Sequence, residues 1–282
     1  MQTARALINR GSILGRLGKM NDAIADLSTL IDMQEAPTEL IALAYNNRGF
    51  THQLLGNSEE AIINFSAVIE FEHAPTNLIA QALVNRGFEY GTLGKVDKMI
   101  ADYRAAMQFE DASAQVISYA SYSLSRNAML QGDWTTAFDL LQRVHVSTDE
   151  RLRHWFSEDS TDLIHTIFES GQNAEAWRPK LDQFVKIYSN NGVLVELSTG
   201  LVASISWLEG CTISTDGLSA WGDLWKEYSK TYPELELGAR LLKTGIAYLT
   251  SGKDITTLLE LPKEERRLLA QALGLDSMDD EE

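Results

Sequence analysis

Arginine side chains recur at a fixed interval, and each is followed by a possible polar partner. They stand 38 residues apart, and an acidic or amide residue follows each of them 16 residues later. The arginines are Arg10, Arg48 and Arg86, and the partners are Asp26, Asn64 and Asp102. The spacing suits either an internal bridge or a row of guanidinium groups that grips an acidic ligand. Because an unpaired buried arginine is very costly, the pattern favours the bridge.

A second group of side chains has the spacing of metal ligands. It consists of His154, Glu158, Asp162 and His165. Intervals of four, four and three residues place them near one face if the segment is a continuous helix. Charged helices often produce such patterns by chance, so a solvated face is favoured over metal binding. The sequence also lacks GxxxxGK[ST], GxGxxG, GxSxG, HExxH and CxxC motifs. We therefore expect no cofactor, no metal and no catalytic residue.

The recurring arginines belong to a longer repeat. The tripeptide Asn-Arg-Gly occurs at 9–11, 47–49 and 85–87, and a second glycine keeps the interval at 18, 56, 94 and 132. Self-similarity at this period is typical of repeat architectures. Apolar residues at helical spacing flank the second glycine, which predicts a helix, a turn and a helix in each repeat. The predicted repeats span about 3-37, 38-75, 76-113 and 114-147.

These residues resemble the tetratricopeptide repeat. Its pattern places a glycine in the first helix and an alanine in the second, with an aromatic residue four positions later. The glycine position of the first helix holds Gly11, Gly49, Gly87 and Ser125. The alanine position of the second helix holds Ala23, Ala61, Met99 and Ala137. The aromatic position holds Leu27, Phe65, Tyr103 and Leu141. The period of 38 residues exceeds the usual 34. The resemblance implies an all-α, right-handed α-solenoid of helical hairpins, with close helix contact at the small residues.

The resemblance also implies a ligand-binding groove on the concave surface. It places the recurring asparagines there, where an amide can hold the backbone of a bound peptide. The predicted groove residues are Asn9, Asn47, Phe50, Asn85, Phe88, Tyr122 and Arg126. For the aromatic residues among them, packing between repeats is the alternative.

The composition of this groove argues against one specialisation of the family. Members that clamp a C-terminal carboxylate use lysines, an arginine and two asparagines at defined positions. Here those positions hold Ile8, Ser12, Asn47, Gln81 and Asn85, of which Asn47 alone fits. The sequence therefore favours an extended or helical segment with apolar anchors as the ligand.

The 38-residue interval ends near residue 148, but helices are still predicted. They are Asp149–Ser170, Glu175–Ser189, Val193–Leu208, Asp216–Tyr232, Leu235–Leu249 and Ile255–Leu273. We interpret 148-275 as degenerate helical hairpins that continue or cap the solenoid, followed by an acidic tail at 276-282. Five tryptophans lie here: Trp155, Trp177, Trp207, Trp221 and Trp225. Core packing is their favoured role, and a hydrophobic docking patch is the alternative.

Charge and composition restrict the partners and the location. The 282-residue chain has a net charge of −16, which argues against non-specific binding to nucleic acid. The charge-free apolar stretch Leu197–Leu208 is too short to cross a bilayer of ~30 Å, so we expect no membrane partner. Cys211 is the only cysteine, and a cytoplasmic location is the simplest interpretation.

The first predicted helix lacks the Ala-Pro-Thr sequence that precedes the second and third repeats. Its apolar residues spread over a wide arc: Leu7, Ile8, Ile13, Leu14 and Leu17. Because solenoids normally protect their ends with polar residues, we expect either a longer array or docking of this helix on another subunit.

The sequence thus predicts a non-enzymatic module that binds a protein or peptide segment on the concave surface. Repeats of this Asn-Arg-Gly type resemble those of large, mostly prokaryotic multidomain signalling proteins. The resemblance implies the sensor or adaptor part of a larger signalling or effector assembly. A self-assembling scaffold joined through the first helix is the alternative. An enzyme that uses the C-terminal half ranks lowest, because no catalytic constellation supports it.

Overall fold

The computed structural model describes residues 2–145, 152–154, 161, 164, 174–210 and 213–275. No residue in these ranges belongs to a strand, and the expected all-α fold class is confirmed. The chain forms two compact units, Met1–His145 and Val146–Glu282, which we term the N-terminal module and the C-terminal module. No helix in the described ranges is long and apolar enough to cross a membrane.

The N-terminal module consists of helical hairpins, one for each predicted repeat. Its helices are α1 (Gln2–Arg16), α2 (Met20–Ile31), α3 (Thr38–Leu54), α4 (Ser58–Glu70), α5 (Thr76–Thr92), α6 (Val96–Ala106), α7 (Ala114–Leu130) and α8 (Trp134–Leu141). The first helices of repeats two to four begin at 38, 76 and 114 and have 17 residues each. The second helices begin at 20, 58, 96 and 134. Both series keep the interval of the sequence, so equivalent side chains occupy equivalent places in successive hairpins.

The turn inside each hairpin depends on a glycine with a left-handed backbone. The residues at 18, 56, 94 and 132 are glycines with φ between 68° and 74°. Other residues are strained in this region, whereas glycine adopts it readily. In repeat two, the Gly56 amide donates to the Gln53 carbonyl at 2.9 Å and so closes the last turn of α3.

A second glycine lets the two helices of a hairpin approach closely. A Cβ atom on Gly49 would lie 2.7 Å from the Phe65 ring, and one on Gly87 would lie 3.0 Å from the Tyr103 ring. These distances are too short for carbon atoms in van der Waals contact. In repeat four, where Ser125 replaces the glycine, the buried serine hydroxyl donates to the Tyr122 carbonyl at 2.7 Å.

First helices and second helices form different layers of the N-terminal module. Each first helix contacts the next one directly, as in α1 with α3, α3 with α5 and α5 with α7. The second helices of repeats one to three contact first helices on both sides, as α4 does with α3 and α5. The exposed sides of α1, α3, α5 and α7 therefore form one continuous surface, which we term the inner surface.

The C-terminal module is also helical in its described part. Its helices are α9 (Ala174–Asn190), α10 (Leu194–Ser204), α11 (Thr215–Thr231), α12 (Glu236–Thr250), α13 (Thr256–Leu259) and α14 (Lys263–Ala272), with 3-10 segments at Ile205–Gly210 and Pro233–Leu235. The last predicted helix is in fact two helices. Pro262 precedes α14 with an extended ψ of 149°, which interrupts the helical backbone.

Tryptophans form much of the core of this module. Trp177, Trp221 and Trp225 are almost completely buried, which confirms core packing and excludes a docking patch made of these side chains. Trp155, Cys211 and most of the predicted helix at 149–170 lie outside the described residues, as does the acidic tail at 276-282.

The close contact at Gly49 predicts that alanine there lowers the stability of the fold, although alanine usually stabilises a helix relative to glycine. Alanine is normally a better helix residue than glycine by about 1 kcal/mol. At Gly49, however, the added methyl group would collide with the buried Phe65 ring, which costs about 1–3 kcal/mol. We expect Gly49→Ala to lower the melting temperature.

Gly15 provides the matched control, because it lies in α1 and a Cβ atom there would meet no neighbour within 4 Å. Gly15→Ala should raise the melting temperature. Equal effects of the two substitutions in calorimetry would contradict the close approach of α3 and α4.

Candidate ligand-binding surface

The recurring arginines bridge helices inside their own repeats. Both oxygens of the Asp102 carboxylate accept hydrogen bonds from Arg86, at 2.8 Å from Nε and 2.8 Å from Nη2. In repeat two, Nε of Arg48 donates to the Asn64 amide oxygen at 2.7 Å. Repeat one has the same bidentate geometry between Arg10 and Asp26, at 2.5 and 2.6 Å. The bridge favoured by the sequence is confirmed.

The same guanidinium groups also join neighbouring repeats. Nη1 of Arg48 donates to the Ser28 hydroxyl of the preceding repeat at 2.9 Å, and Nη1 of Arg86 donates to the Ser66 hydroxyl at 2.9 Å. Sequence reasoning missed these serines, although they stand 38 residues apart and repeat the interval of the arginines. Arg48 and Arg86 therefore each fix three helices in a common register.

Burial of the bridges increases along the module. The Arg10 side chain is 66% exposed, whereas the Arg86 side chain is 17% exposed because repeat two covers it. The hydrogen bond from Arg10 holds the pKa of the Asp26 carboxyl below its ordinary value. The hydrogen bonds to Asp102 raise the pKa of Arg86. The arginines are therefore structural groups of the hairpins, and the ligand-binding surface must be built from other residues.

The recurring asparagines lie one residue before the arginines, on the inner surface. Asn9 is exposed, and Asn47 and Asn85 are half-buried. Among the described residues, no protein group forms a hydrogen bond with the side-chain amide of any of the three. Since an amide carries both a donor and an acceptor, these groups are available to a ligand.

Aromatic rings lie three residues after two of these asparagines. Phe50 is 36% exposed and Phe88 is 43% exposed, although both are large apolar side chains. They occupy the same position of adjacent first helices, which contact each other. The exposed parts of the two rings therefore add apolar area to the inner surface. Arg126 holds the equivalent position in repeat four and is also exposed.

Tyr122 does not join this surface, which corrects its prediction as a groove residue. Its side chain is only 6% exposed, and the equivalent residues Ile8, Asn46 and Val84 are buried as well. The position precedes the asparagine by one residue, which turns the side chain by 100° around an ideal helix. Tyr122 therefore contributes to the core of the module.

The structure adds two leucines that the sequence prediction missed. Leu54 and Leu130 are exposed, and each lies four residues after an exposed inner-surface residue, Phe50 or Arg126. Residues four apart lie on the same face of a helix, so the helical interval was an available signal. The inner surface thus combines apolar side chains with amides.

Of the four residues with metal-ligand spacing, Glu158, Asp162 and His165 lie outside the described residues. Within the ranges that the structure describes, no three His, Cys, Asp or Glu side chains are grouped as metal ligands.

The family comparison agrees with the repeat pattern. The sequence model for the tetratricopeptide repeat matches residues 4–37, 42–72 and 80–112. These segments cover the first three hairpins, and the fourth hairpin, with α7 and α8, is not matched. No curated protein has significant sequence similarity to the chain.

Solved structures of helical-repeat proteins are also similar to the chain. A tetratricopeptide repeat protein from Parabacteroides merdae has 15% sequence identity and a TM-score of 0.44, with coverage of 97% of this chain and 100% of that chain. The TPR2AB domain of yeast Sti1, in a complex with pHSP90, has 12% identity and a TM-score of 0.35, with coverage of 87% of this chain and 99% of that chain. Scores this low give no basis for transferring a ligand from either protein.

Repeat four suggests how to test the bridge, since it holds Leu124 and Leu140 where repeat three holds Arg86 and Asp102. Arg86→Leu alone leaves a buried carboxylate without its guanidinium, and we expect a loss of about 3 kcal/mol in the free energy of unfolding. Arg86→Leu combined with Asp102→Leu should recover most of that loss. Urea denaturation of both single variants and the double variant measures the coupling, and additive losses would contradict a direct bridge.

The bridge in repeat one predicts a dependence on pH. The pKa of Asp26 is lower in the folded protein than in the unfolded chain, so its stabilisation is present above the ordinary value of 3.8 and is lost as the pH falls through the folded pKa. Asp26→Asn introduces the residue that repeat two holds at this position. The stability difference between the wild type and this variant should shrink between about pH 7 and about pH 3. A difference that stays constant in urea denaturation would exclude a lowered pKa.

Proposed function

We propose that this chain is a non-enzymatic module that binds a protein or peptide segment on its inner surface. The proposal is supported by the match of residues 4–37, 42–72 and 80–112 to the sequence model of the tetratricopeptide repeat, a family whose members bind proteins or peptides. The observation that supports this site most directly is the pair of exposed rings, Phe50 and Phe88, on adjacent first helices. Exposed aromatic residues that recur on a rigid scaffold are suited to anchor a partner.

The asparagines give the same surface a means of orienting a ligand. Asn47 and Asn85 each lie three residues before a phenylalanine on the same helix. A peptide whose apolar side chain packs against a ring can therefore bring its backbone N–H and C=O groups to an amide. Two such ring and amide pairs, repeated in register, favour a segment that runs across the first helices.

The spacing of the helices limits the spacing of the ligand's anchors. Packed helices lie about 8–10 Å apart, so equivalent side chains recur at that distance. An extended peptide covers this distance in about three residues, since each residue advances it by about 3.3 Å. A helical ligand needs about six or seven residues at about 1.5 Å each. We therefore expect apolar anchors at one of these two intervals.

The charge of the chain favours a neutral or basic segment. The net charge is −16, and the inner surface of repeats two and three carries amide and apolar groups without an exposed cation. An acidic segment would meet repulsion from the protein as a whole.

A wider role extends the proposal. The Asn-Arg-Gly repeats resemble those of large signalling proteins, and the module would act there as the sensor or adaptor part of an assembly. A cytoplasmic location stays a prediction from the single cysteine.

Removal of the anchors tests the proposed surface. The variant Phe50→Ala with Asn85→Ala and Phe88→Ala changes exposed or half-buried side chains, so the fold should persist in circular dichroism. Partners captured from the source cell by the wild type should be lost, and binding of a captured partner's segment should weaken by at least about tenfold.

A matched control carries three changes at exposed positions of second helices: Asn21→Ala in α2, Ile63→Ala in α4 and Val96→Ala in α6. It should retain the partners. Equal capture by the wild type and the inner-surface variant would refute the proposed surface.

Exposed apolar residues of α1 support a scaffold as the second candidate function. Ile13 is 56% exposed on α1, whereas the equivalent Thr51 of α3 and Glu89 of α5 are buried. Self-association through this side would cover Ile13 and the exposed Leu17. Light scattering over a concentration series decides the matter: association that Ile13→Glu abolishes would support the scaffold, and a constant monomer would exclude it.

A further inference from the structure

A cleft of about 270 Å³ lies between repeats three and four, away from the inner surface. Its walls come from α6, α7 and α8, and its lining includes Leu124 and Leu140 together with Arg104 and Arg143. Two second helices therefore form its sides, whereas the proposed ligand surface is formed by first helices.

The cleft occupies the place where the earlier repeats have the arginine bridge. At the junction of repeats two and three, Arg86 reaches from Ser66 of one second helix to Asp102 of the next. The residues equivalent to these three are Leu124, Arg104 and Leu140, and all of them line the cleft. A leucine is shorter than an arginine, so the space between the second helices is open here.

Cationic side chains border this space at two positions where the earlier repeats hold neutral residues. Arg104 replaces the serines at 28 and 66, and Arg143 replaces Thr29, Ala67 and Ala105 of the earlier repeats. Both arginines are exposed, and neither has an ion pair or a hydrogen bond within the described part of the chain. By contrast, Arg86, Arg178 and Arg240 all pair with carboxylates. Two arginines without a carboxylate partner thus line one cleft of an acidic chain.

The only carboxylate among the lining residues is already engaged. Asp133 caps α8 by accepting a hydrogen bond from the Thr136 amide at 3.1 Å. Hydrogen bonds from the Thr136 side chain and then from its backbone amide lower the pKa of Asp133. The lining carries two arginines and this one aspartate, a net charge of +1, which one carboxylate neutralises.

We propose that this cleft binds a glutamate or aspartate side chain of an acidic peptide segment, with the carboxylate between Arg104 and Arg143. Planar guanidinium groups match the two oxygens of a carboxylate, and the hydrocarbon part of the ligand's side chain packs on Leu124 and Leu140. Exposed Gln108 lines the cleft as well and supplies an amide for the peptide backbone. Gln131 also lines it, and its amide donates to the Asn127 side-chain oxygen at 3.2 Å. The site is separate from the inner surface and adds a second contact, of opposite charge preference, to the proposed function.

Titration of the full chain with two capped peptides tests the site. The probes are acetylated and amidated Ala-Leu-Glu-Glu-Leu-Ala and its Gln-Gln counterpart, so neither carries a terminal charge. In nitrogen-15 correlation spectra, the Glu peptide should shift the signals of Arg104, Gln108, Gln131 and Arg143. The Gln peptide should bind at least about tenfold more weakly.

Variants that restore the residues of the earlier repeats provide the second test. Arg104→Ser and Arg143→Ala should each weaken binding of the Glu peptide by about tenfold. Leu124→Arg with Leu140→Asp and Arg104→Ser rebuilds the bridge and should abolish binding, with an unchanged helical circular dichroism spectrum. Arg5→Ala, at an exposed arginine of α1, is the control and should bind as the wild type does.

Several outcomes would overturn the proposal. They are the absence of shifts at about 1 mM peptide, equal binding of the two peptides, or an equal loss in Arg5→Ala. Shifts confined to Phe50 and Phe88 would assign the peptide to the inner surface and refute the cleft. Displacement of the Glu peptide by equimolar inorganic phosphate would refute the preference for a carboxylate.

Discussion

The N-terminal module depends on one guanidinium group that serves three helices at once. Arg86 joins its own first helix to Asp102 on the second helix and to Ser66 on the preceding repeat. The planar fork of arginine allows this because its donors point in fixed directions. One side chain thus sets both the register inside a hairpin and the register between hairpins. The inner surface inherits that register, since Asn85 and Phe88 lie on the same helix as the arginine.

Much of this architecture was predictable because its determinants are local and repeated. The turn glycines end the first helices, and the interval of 38 residues then positions every helix of the module. The bridge was predictable too, because a buried arginine requires a partner and Asp26 or Asp102 recurs at a fixed distance in the sequence. Core packing of the tryptophans in the C-terminal module was also the role that the sequence favoured.

The remaining features depend on contacts between repeats, which a single repeat's pattern does not contain. Tyr122 was expected on the groove, but one residue of helix rotation directs it towards the core. Ser28 and Ser66 were missed because their role exists only when two repeats are stacked. Helical periodicity assigns a side chain to a face, whereas the neighbouring hairpin decides whether that face is covered.

Repetition makes departures from the pattern interpretable as physical changes. Both members of the bridge are replaced by leucine in repeat four. If Leu124 were combined with an aspartate at position 140, that buried carboxylate would lack its guanidinium partner. The two leucines preserve an apolar contact, but they no longer require a polar group from the preceding repeat. That position is then free to hold Arg104, which is exposed and lines the cleft. A structural position has thereby become a surface position, while the helix spacing of the module is unchanged.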